Sequence, residues 1–214
     1  MPGPIDQAWE KWDAWHPADA ARVLAEVRAP WCVAAGWAID LFLGGQRREH
    51  EDLEIAVPAA RFGEVAAALA DYELYVPGRI GERYVAWPLA EDPKRLELHT
   101  QTLVREAATD RWRLDVFREP SDGDTWVCRR DSAIRMPYAE LIERTVDDIP
   151  YMRPEVVLLF KATRSNPDEA TERDEADFAD TLEVLQPERR RLLAELLTRV
   201  APEHPWLARL ARLA

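Results

Sequence analysis

Two carboxylates alternate with apolar residues in one short stretch, which limits the fold more than any other part of this 214-residue chain. The stretch is REHEDLEIAV, residues 48–57, and it follows the turn at Gly44-Gly45. Its apolar residues predict a mostly packed strand, on which side chains alternate in direction, so Asp52 and Glu54 point the same way. Because adjacent acids in a sheet repel each other, we expect a cation beside them.

A third acid lies in a second predicted strand, WRLDVFRE, residues 112–119. An isolated carboxylate such as Asp115 is uncommon in an apolar strand unless it is paired or ligated. If this strand lies beside residues 52–57, three carboxylates meet and can hold two divalent ions, which clamp the attacking and leaving oxygens of a phosphoryl displacement. Hard oxygen ligands select Mg²⁺ or Mn²⁺.

Ordinary ion pairing is the alternative for each of these acids. Arg47 or Arg48, in the preceding turn, would neutralise the two acids on the first strand. Arg113 or Arg118 would neutralise the acid on the second strand. Asp40, on the helix before the turn, is expected to be a structural partner of Arg47 or Arg48 rather than a ligand.

The pattern of elements changes along the chain. Up to about residue 125, strand-like runs at 31–35, 52–57, 72–98 and 112–119 alternate with predicted helices at 17–28, 37–45 and 58–70. After Pro137, Pro or Asn residues open a series of amphipathic helices. These predicted helices lie at 154–164, 167–185 (capped by Asn166), 187–200 and 205–213. We therefore predict an α+β chain, with an α/β domain at 1–130 and a mainly helical domain at 131–214.

Composition excludes some classes of partner. The formal net charge is -12, which argues against a duplex nucleic-acid binder and suits a small cationic partner. No apolar run reaches the length of a membrane span, and the N-terminus does not resemble a signal peptide. Cys32 and Cys128 are too few and too far apart for a disulfide framework or a zinc site, so we expect a cytoplasmic protein.

The sequence AAGWAIDLFLGGQRREHEDLEIAV, residues 34–57, resembles the nucleotidyltransferase superfamily, in which a Gly-rich turn and a helix precede D-x-D or D-x-E on a strand. It is more similar to the aminoglycoside nucleotidyltransferase-like group, with its 2''-adenylyltransferases and lincosamide relatives. The resemblance continues through LHTQTLVREAATDRWRLDVF, WVCRRDSAIRMP and PEVVLLFK, and covers roughly residues 30–180. It implies a polymerase-beta-like mixed sheet with flanking helices, followed by a helical C-terminal half.

The same resemblance implies roles for particular residues. Asp52 and Glu54 would bind Mg²⁺ together with Asp115, two ions being expected, and Asp115 would be the general base. The co-substrate would be a nucleoside triphosphate, whose pyrophosphate leaves. The residues implied for nucleotide binding are the turn at Ala35 and Gly36, Arg48, His50 and Lys161.

Several of these residues have structural alternatives. The family turn usually begins with glycine, and the methyl group of Ala35 could hinder a backbone with positive φ. His50 could be a hydrogen-bonded spacer, and Lys161 could extend from the edge of a buried helix. Asp174 and Asp177 share one helix face, where they could hold a cationic substrate or pair with Lys161 and Arg173; the sequence leaves both open.

We therefore predict an enzyme that transfers AMP from ATP to a hydroxyl of a small molecule such as an aminoglycoside. One alternative is a protein-modifying, toxin-like nucleotidyltransferase, and another is a pseudoenzyme that binds nucleotide without turnover. Three tryptophans near the N-terminus favour core packing or a subunit contact, so a homodimer is left open; these are Trp9, Trp12 and Trp15.

Overall fold

The computed structural model of the chain describes residues 4–7, 9–164 and 172–213. The strands are β1 (Ile5–Asp6), β2 (Cys32–Val33), β3 (Glu54–Pro58), β4 (Glu73–Ile80), β5 (Arg83–Pro88), β6 (Gln101–Glu106), β7 (Arg111–Glu119), β8 (Ser121–Asp122), β9 (Thr125–Val127), β10 (Arg135–Pro137), β11 (Ile142–Arg144) and β12 (Pro150–Met152). The helices are α1 (Pro17–Val23), α2 (Ala35–Phe42), α3 (Phe62–Ala68), α4 (Arg95–Leu98), α5 (Tyr138–Leu141), α6 (Pro154–Ala162), α7 (Glu172–Val184), α8 (Pro187–Val200) and α9 (Trp206–Ala211).

The chain divides into two compact units. The sheet unit comprises the chain up to Val33 and Glu49–Ser121, and the helical unit comprises Ala34–Arg48 and the chain from Asp122 onwards. The helical unit is therefore built from two separate segments, because α2 packs with helices from the end of the chain. The domain boundary at residue 130 stays a prediction, and it differs from this discontinuous division.

In the sheet unit, seven strands are ordered β1-β5-β4-β6-β7-β3-β2. β3 and β7 run parallel, while β6 pairs with β7 and β4 in antiparallel fashion. Apolar side chains such as Ile55, Leu114 and Val116 are fully buried, which explains why these runs form central strands. The strand predicted at 112–119 is thus confirmed as β7, and the strand predicted at 52–57 is present as its neighbour β3, which begins only at Glu54, so that Asp52 lies before it.

Trp112 anchors a hydrophobic cluster at the N-terminal end of β7. Its ring meets that of Tyr75 edge to face, with the ring centroids 5.3 Å apart. Ile5 and Trp12 pack against the same cluster. Core packing is therefore the role that the structure shows for Trp12.

In the helical unit, α6 has almost no exposed face: Val156, Leu158 and Leu159 are fully buried, and α2 and α8 pack against it. α7 and α9 are joined by the stacked rings of Phe178 and Trp206, whose centroids lie 4.2 Å apart. No described helix is both long enough and apolar enough to cross a membrane.

Most predicted helices of the second half are present. α6 and α8 match the predictions at 154–164 and 187–200, and α9 matches the prediction at 205–213. α7 is described from Glu172, so the predicted cap at Asn166 lies outside the described residues.

One strand prediction is wrong. The alternating sequence RLELH, at the end of the strand-like run predicted at 72–98, was expected to be extended, but Arg95–Leu98 forms the short helix α4. The turn begins at Asp92-Pro93, where the Arg95 amide donates to the Asp92 carbonyl at 3.1 Å. Asp and Pro favour turns for local reasons, and here they override a weak alternation of apolar and polar residues.

Candidate active site

Two of the predicted acids are neighbours across parallel strands of the sheet unit. Glu54 on β3 and Asp115 on β7 are register partners, and the Asp115 amide donates to the Leu53 carbonyl at 2.9 Å. Partners in adjacent strands point to the same face of a sheet. The fold therefore brings these two carboxylates side by side, and Asp52 precedes Glu54 by two residues.

Asp115 is the most buried of the three acids, with 5% of its surface exposed, while Asp52 and Glu54 are partly exposed. Its Oδ2 accepts a hydrogen bond of 2.7 Å from Nε2 of Gln101, on β6. A buried carboxylate needs such partners because desolvation penalises its charge.

The acids on β3 and β7 have the donor chemistry, but not the number of ligands, of a divalent metal site. As placed, the described residues contain no group of three His, Cys, Asp or Glu side chains that could hold an ion. The adjacent pair of Glu54 and Asp115 supplies oxygen ligands only, which is the donor chemistry that Mg²⁺ prefers. The donor type fits magnesium, and the predicted ligand set of Asp52, Glu54 and Asp115 stays a prediction.

The two arginines proposed as partners of Asp115 have other contacts. Arg113 pairs with Glu106 at 2.7 Å and with Asp13. Arg118 is buried and donates to carbonyl oxygens, among them that of Leu96 at 2.8 Å. Burial lowers the pKa of Arg118, and the negative charge of Asp115 opposes this effect.

The turn at the start of α2 has the positive φ that the methyl group of Ala35 was expected to hinder. Ala35 is the first residue of α2 and has φ +48°, in the left-handed region that favours glycine. Gly36 follows it and is buried. The backbone of the helical unit thus has the turn geometry that the resemblance implies, with an alanine in the strained position.

Lys161 lies in a buried ionic cluster within the helical unit. Its Nζ is 2.6 Å from Asp174 Oδ1 and 2.9 Å from Asp177 Oδ2. Arg164 also reaches Asp174, at 2.7 Å, and Arg48 is 3.5 Å from Asp177. Of the two alternatives for Asp174 and Asp177, the structure shows ion pairs with Lys161. The two aspartates therefore compete with a phosphate group for the charge of Lys161.

Asp40, Arg47 and His50 are the remaining residues that the sequence analysis singled out, and each has a defined environment. The Arg47 amide donates to Asp40 Oδ2 at 3.1 Å, which confirms Asp40 as a structural partner of this turn. The Arg47 guanidinium pairs with Asp180 at 3.1 Å. His50, in the sheet unit, lines a cavity of about 470 Å³, whose other lining residues are Trp12, Asp13, Ala14 and Glu51.

Sequence reasoning missed Gln101 as a neighbour of Asp115, whereas it named Arg118 as a possible partner of that acid. Both lie on strands whose pairing register decides which residues meet, and the sequence does not show that register. Nothing in the local sequence singles out Gln101 as a member of the site.

Comparisons with known proteins agree with this architecture. The lincosamide antibiotic adenylyltransferase LnuA, in a lincomycin-bound crystal structure, has a TM-score of 0.51 and 16% identity, covering 78% of this chain and 95% of that one. The antibiotic-resistance factor ANT(2'')-Ia matches in a solution structure with a TM-score of 0.53 and 16% identity, covering 86% of this chain and 91% of that one.

A crystal structure of ANT(2'')-Ia in complex with adenylyl-2''-tobramycin matches with a TM-score of 0.54 and 15% identity, covering 86% of this chain and 96% of that one. At such identities the similarity shows the fold alone. It confirms the predicted α+β nucleotidyltransferase fold. No curated protein sequence matches the chain.

Sequence similarity to a family supplies the remaining step. The family described as aminoglycoside-2''-adenylyltransferase matches residues 18–125, which is just over half of the chain and includes all three acids. The chain belongs to the aminoglycoside-2''-adenylyltransferase family and is a nucleotidyltransferase.

Proposed function

We propose that this protein transfers AMP from ATP to a hydroxyl group of a small, cationic, hydroxylated molecule such as an aminoglycoside. The observation that carries the proposal is the pairing of Glu54 with Asp115 across parallel strands, within the segment that matches the family. The neighbouring structures support an antibiotic as the acceptor, because they contain lincomycin and adenylylated tobramycin.

In the proposed reaction, Asp115 accepts the proton of the acceptor hydroxyl as its oxygen attacks the α-phosphorus of ATP. The new oxygen–phosphorus bond forms while the bond to the β-phosphate breaks, and pyrophosphate leaves. Asp52, Glu54 and Asp115 would hold Mg²⁺, which supplies neutralisation of the phosphate charge when bound. A carboxylate suffices as the base because Asp115 is buried and held in position, so the site does not have to rearrange as the proton is transferred.

Nucleotide binding by Ala35, Gly36, Arg48, His50 and Lys161 is part of the proposal. The left-handed conformation of Ala35 supports it, since a turn of this kind exposes backbone N–H groups that bind phosphate. Lys161 must release at least one of its two carboxylate partners before its charge is available to a phosphate.

The test is a transfer assay with labelled ATP, GTP, CTP and UTP in the presence of Mg²⁺, using aminoglycosides and lincosamides as acceptors. Asp115→Asn keeps the size of the side chain and removes the base, so turnover should fall at least about 100-fold. Asp71→Asn is the matched control, because Asp71 is an exposed acid of the same unit. It should retain wild-type turnover.

Two results would contradict this proposal. Wild-type turnover in Asp115→Asn would show that Asp115 is not the base. Label that appears on protein, with a mass gain of one nucleotide and no modified small molecule, would instead support the protein-modifying alternative.

A further inference from the structure

Gln101 contacts the proposed base from a third strand. It pairs in register with Phe117, two residues from Asp115, so Gln101 and Asp115 are diagonal neighbours on one face of the sheet. Its Nε2 donates to Oδ2 of Asp115 at 2.7 Å. Glu54 lies on the other side of Asp115, on β3. Three strands thus contribute one polar side chain each to the same face.

We propose that Gln101 is a positioning residue for the transfer reaction, which fixes the orientation of the Asp115 carboxylate through Oδ2 so that Oδ1 receives the proton of the acceptor hydroxyl. The inference rests on the proposed function, in which Asp115 is the base. An ionised carboxylate rotates easily about its last torsion, and one firm hydrogen bond to a chosen oxygen removes that freedom. Gln101 is neutral, so it orients the carboxylate without adding a charge that competes with a metal ion.

The position of Gln101 is itself held from the opposite face of β7. Arg118 donates to the Gln101 carbonyl at 3.3 Å and to the His99 carbonyl, and its Nε donates to Thr102 Oγ1 at 3.1 Å. The Arg118 amide donates to the Thr100 carbonyl at 2.7 Å. The buried Arg118 guanidinium therefore holds the start of β6 in place, and with it the backbone of Gln101.

Proton balance in the proposed step is simple. The proton moves from the acceptor hydroxyl to Oδ1 of Asp115 as the acceptor oxygen bonds to phosphorus, and it leaves to solvent after pyrophosphate departs. The hydrogen bond from Gln101 to Oδ2 is kept throughout, and Gln101 neither gains nor loses a proton. Its contribution is geometric, so it should affect turnover much more than substrate binding.

Two substitutions of Gln101 test this role. Gln101→Met has a similar length and no N–H donor, so kcat should fall roughly 10-fold while the KM values of ATP and acceptor change less than about 2-fold. Gln101→His places a ring N–H at a similar reach and should restore most of the lost kcat. Gln186→Met, at an exposed position before α8, is the matched control and should leave kcat and KM unchanged.

A second measurement does not depend on activity. In crystal structures of wild type and Gln101→Met, the Asp115 carboxylate should be fixed in the first and rotated, or present in two orientations, in the second. An unchanged orientation in Gln101→Met, or an unchanged kcat in an active enzyme, would overturn the role. If the wild type transfers no nucleotide, the proposed function fails, while the crystal structures still decide whether Gln101 orients Asp115.

Discussion

At the scale of the residue, Ala35 has a backbone conformation that suits glycine better than alanine. A left-handed backbone costs a residue with a Cβ about 1–2 kcal/mol, and Ala35 has this conformation at the start of α2. In the proposed function this turn presents its N–H groups to phosphate, so the strain is linked to the proposed phosphate contact.

Replacing Ala35 with glycine should therefore stabilise the protein. Relief of strain exceeds the greater entropy of glycine in the unfolded chain, so we expect the free energy of unfolding to rise by about 0.5 kcal/mol in urea titrations. Ala67→Gly, at an exposed position of α3, should lower it by about 0.5–1 kcal/mol. Equal losses in both variants would show that Ala35 is not strained.

The predicted acids illustrate what residue patterns can and cannot show. Alternation placed Asp52 and Glu54 on a strand, and an isolated charge in an apolar run identified Asp115. The neighbour of Asp115 in β6 depends on the register of an antiparallel pair, which has no trace in the local sequence. Gln101 was therefore invisible as a member of the site until the strands were aligned.

At the scale of the element, one buried ion-pair network joins α6 and α8 to β11. Glu155 on α6 is fully buried, and Arg189 on α8 donates to it at 2.7 Å. The same guanidinium reaches Glu143 on β11 at 2.6 Å, and Arg153 pairs with Glu155 at 2.8 Å. Because its partners come from distant parts of the sequence, no periodicity could have predicted this network.

Glu155→Gln should destabilise the helical unit. Loss of the buried charge leaves two partly buried arginines, Arg153 and Arg189, poorly compensated, at a cost of about 3 kcal/mol near neutral pH, measured by urea unfolding. The matched control is Glu188→Gln, which removes an exposed ion pair with Arg191 and should change the stability by less than about 0.5 kcal/mol. Similar losses in both variants would contradict a special role for burial.

The effect of Glu155 should depend on pH. Burial raises the pKa of Glu155, but hydrogen bonds from Arg189 and Arg153 outweigh it and hold the pKa below its ordinary value of 4.5. The stabilisation is therefore complete above that value and decreases as the pH falls through the lower pKa of the folded state. The stability difference between wild type and Glu155→Gln should narrow in this acid range and remain constant from pH 5 to 7.

At the scale of the whole molecule, the formal net charge of -12 matters for the proposed acceptor. A negatively charged surface raises the local concentration of a cationic molecule, and salt screens this attraction.

The fold class follows from the order of strand-like and helical patterns along the sequence. The membership of residues 34–48 in the helical unit does not follow from the sequence, because an apolar helix face does not specify its packing partner.

Salt should weaken the capture of a cationic acceptor. Between about 0.05 M and 0.5 M NaCl, kcat/KM for an aminoglycoside should fall several-fold through a higher KM. The value of kcat at saturating acceptor provides the internal control and should change less than about 2-fold. An acceptor KM that is independent of salt would show that net charge does not guide the acceptor.

The two-segment construction of the helical unit has a consequence for biosynthesis. α2 begins at Ala35, and its partner α6 begins at Pro154, so a ribosome adds about 120 residues between the two. At roughly 5–20 residues per second, the apolar side of α2 waits for about 6–24 s before its partner exists. During that interval the nascent polypeptide exposes the apolar face of α2, which is the kind of surface that chaperones bind.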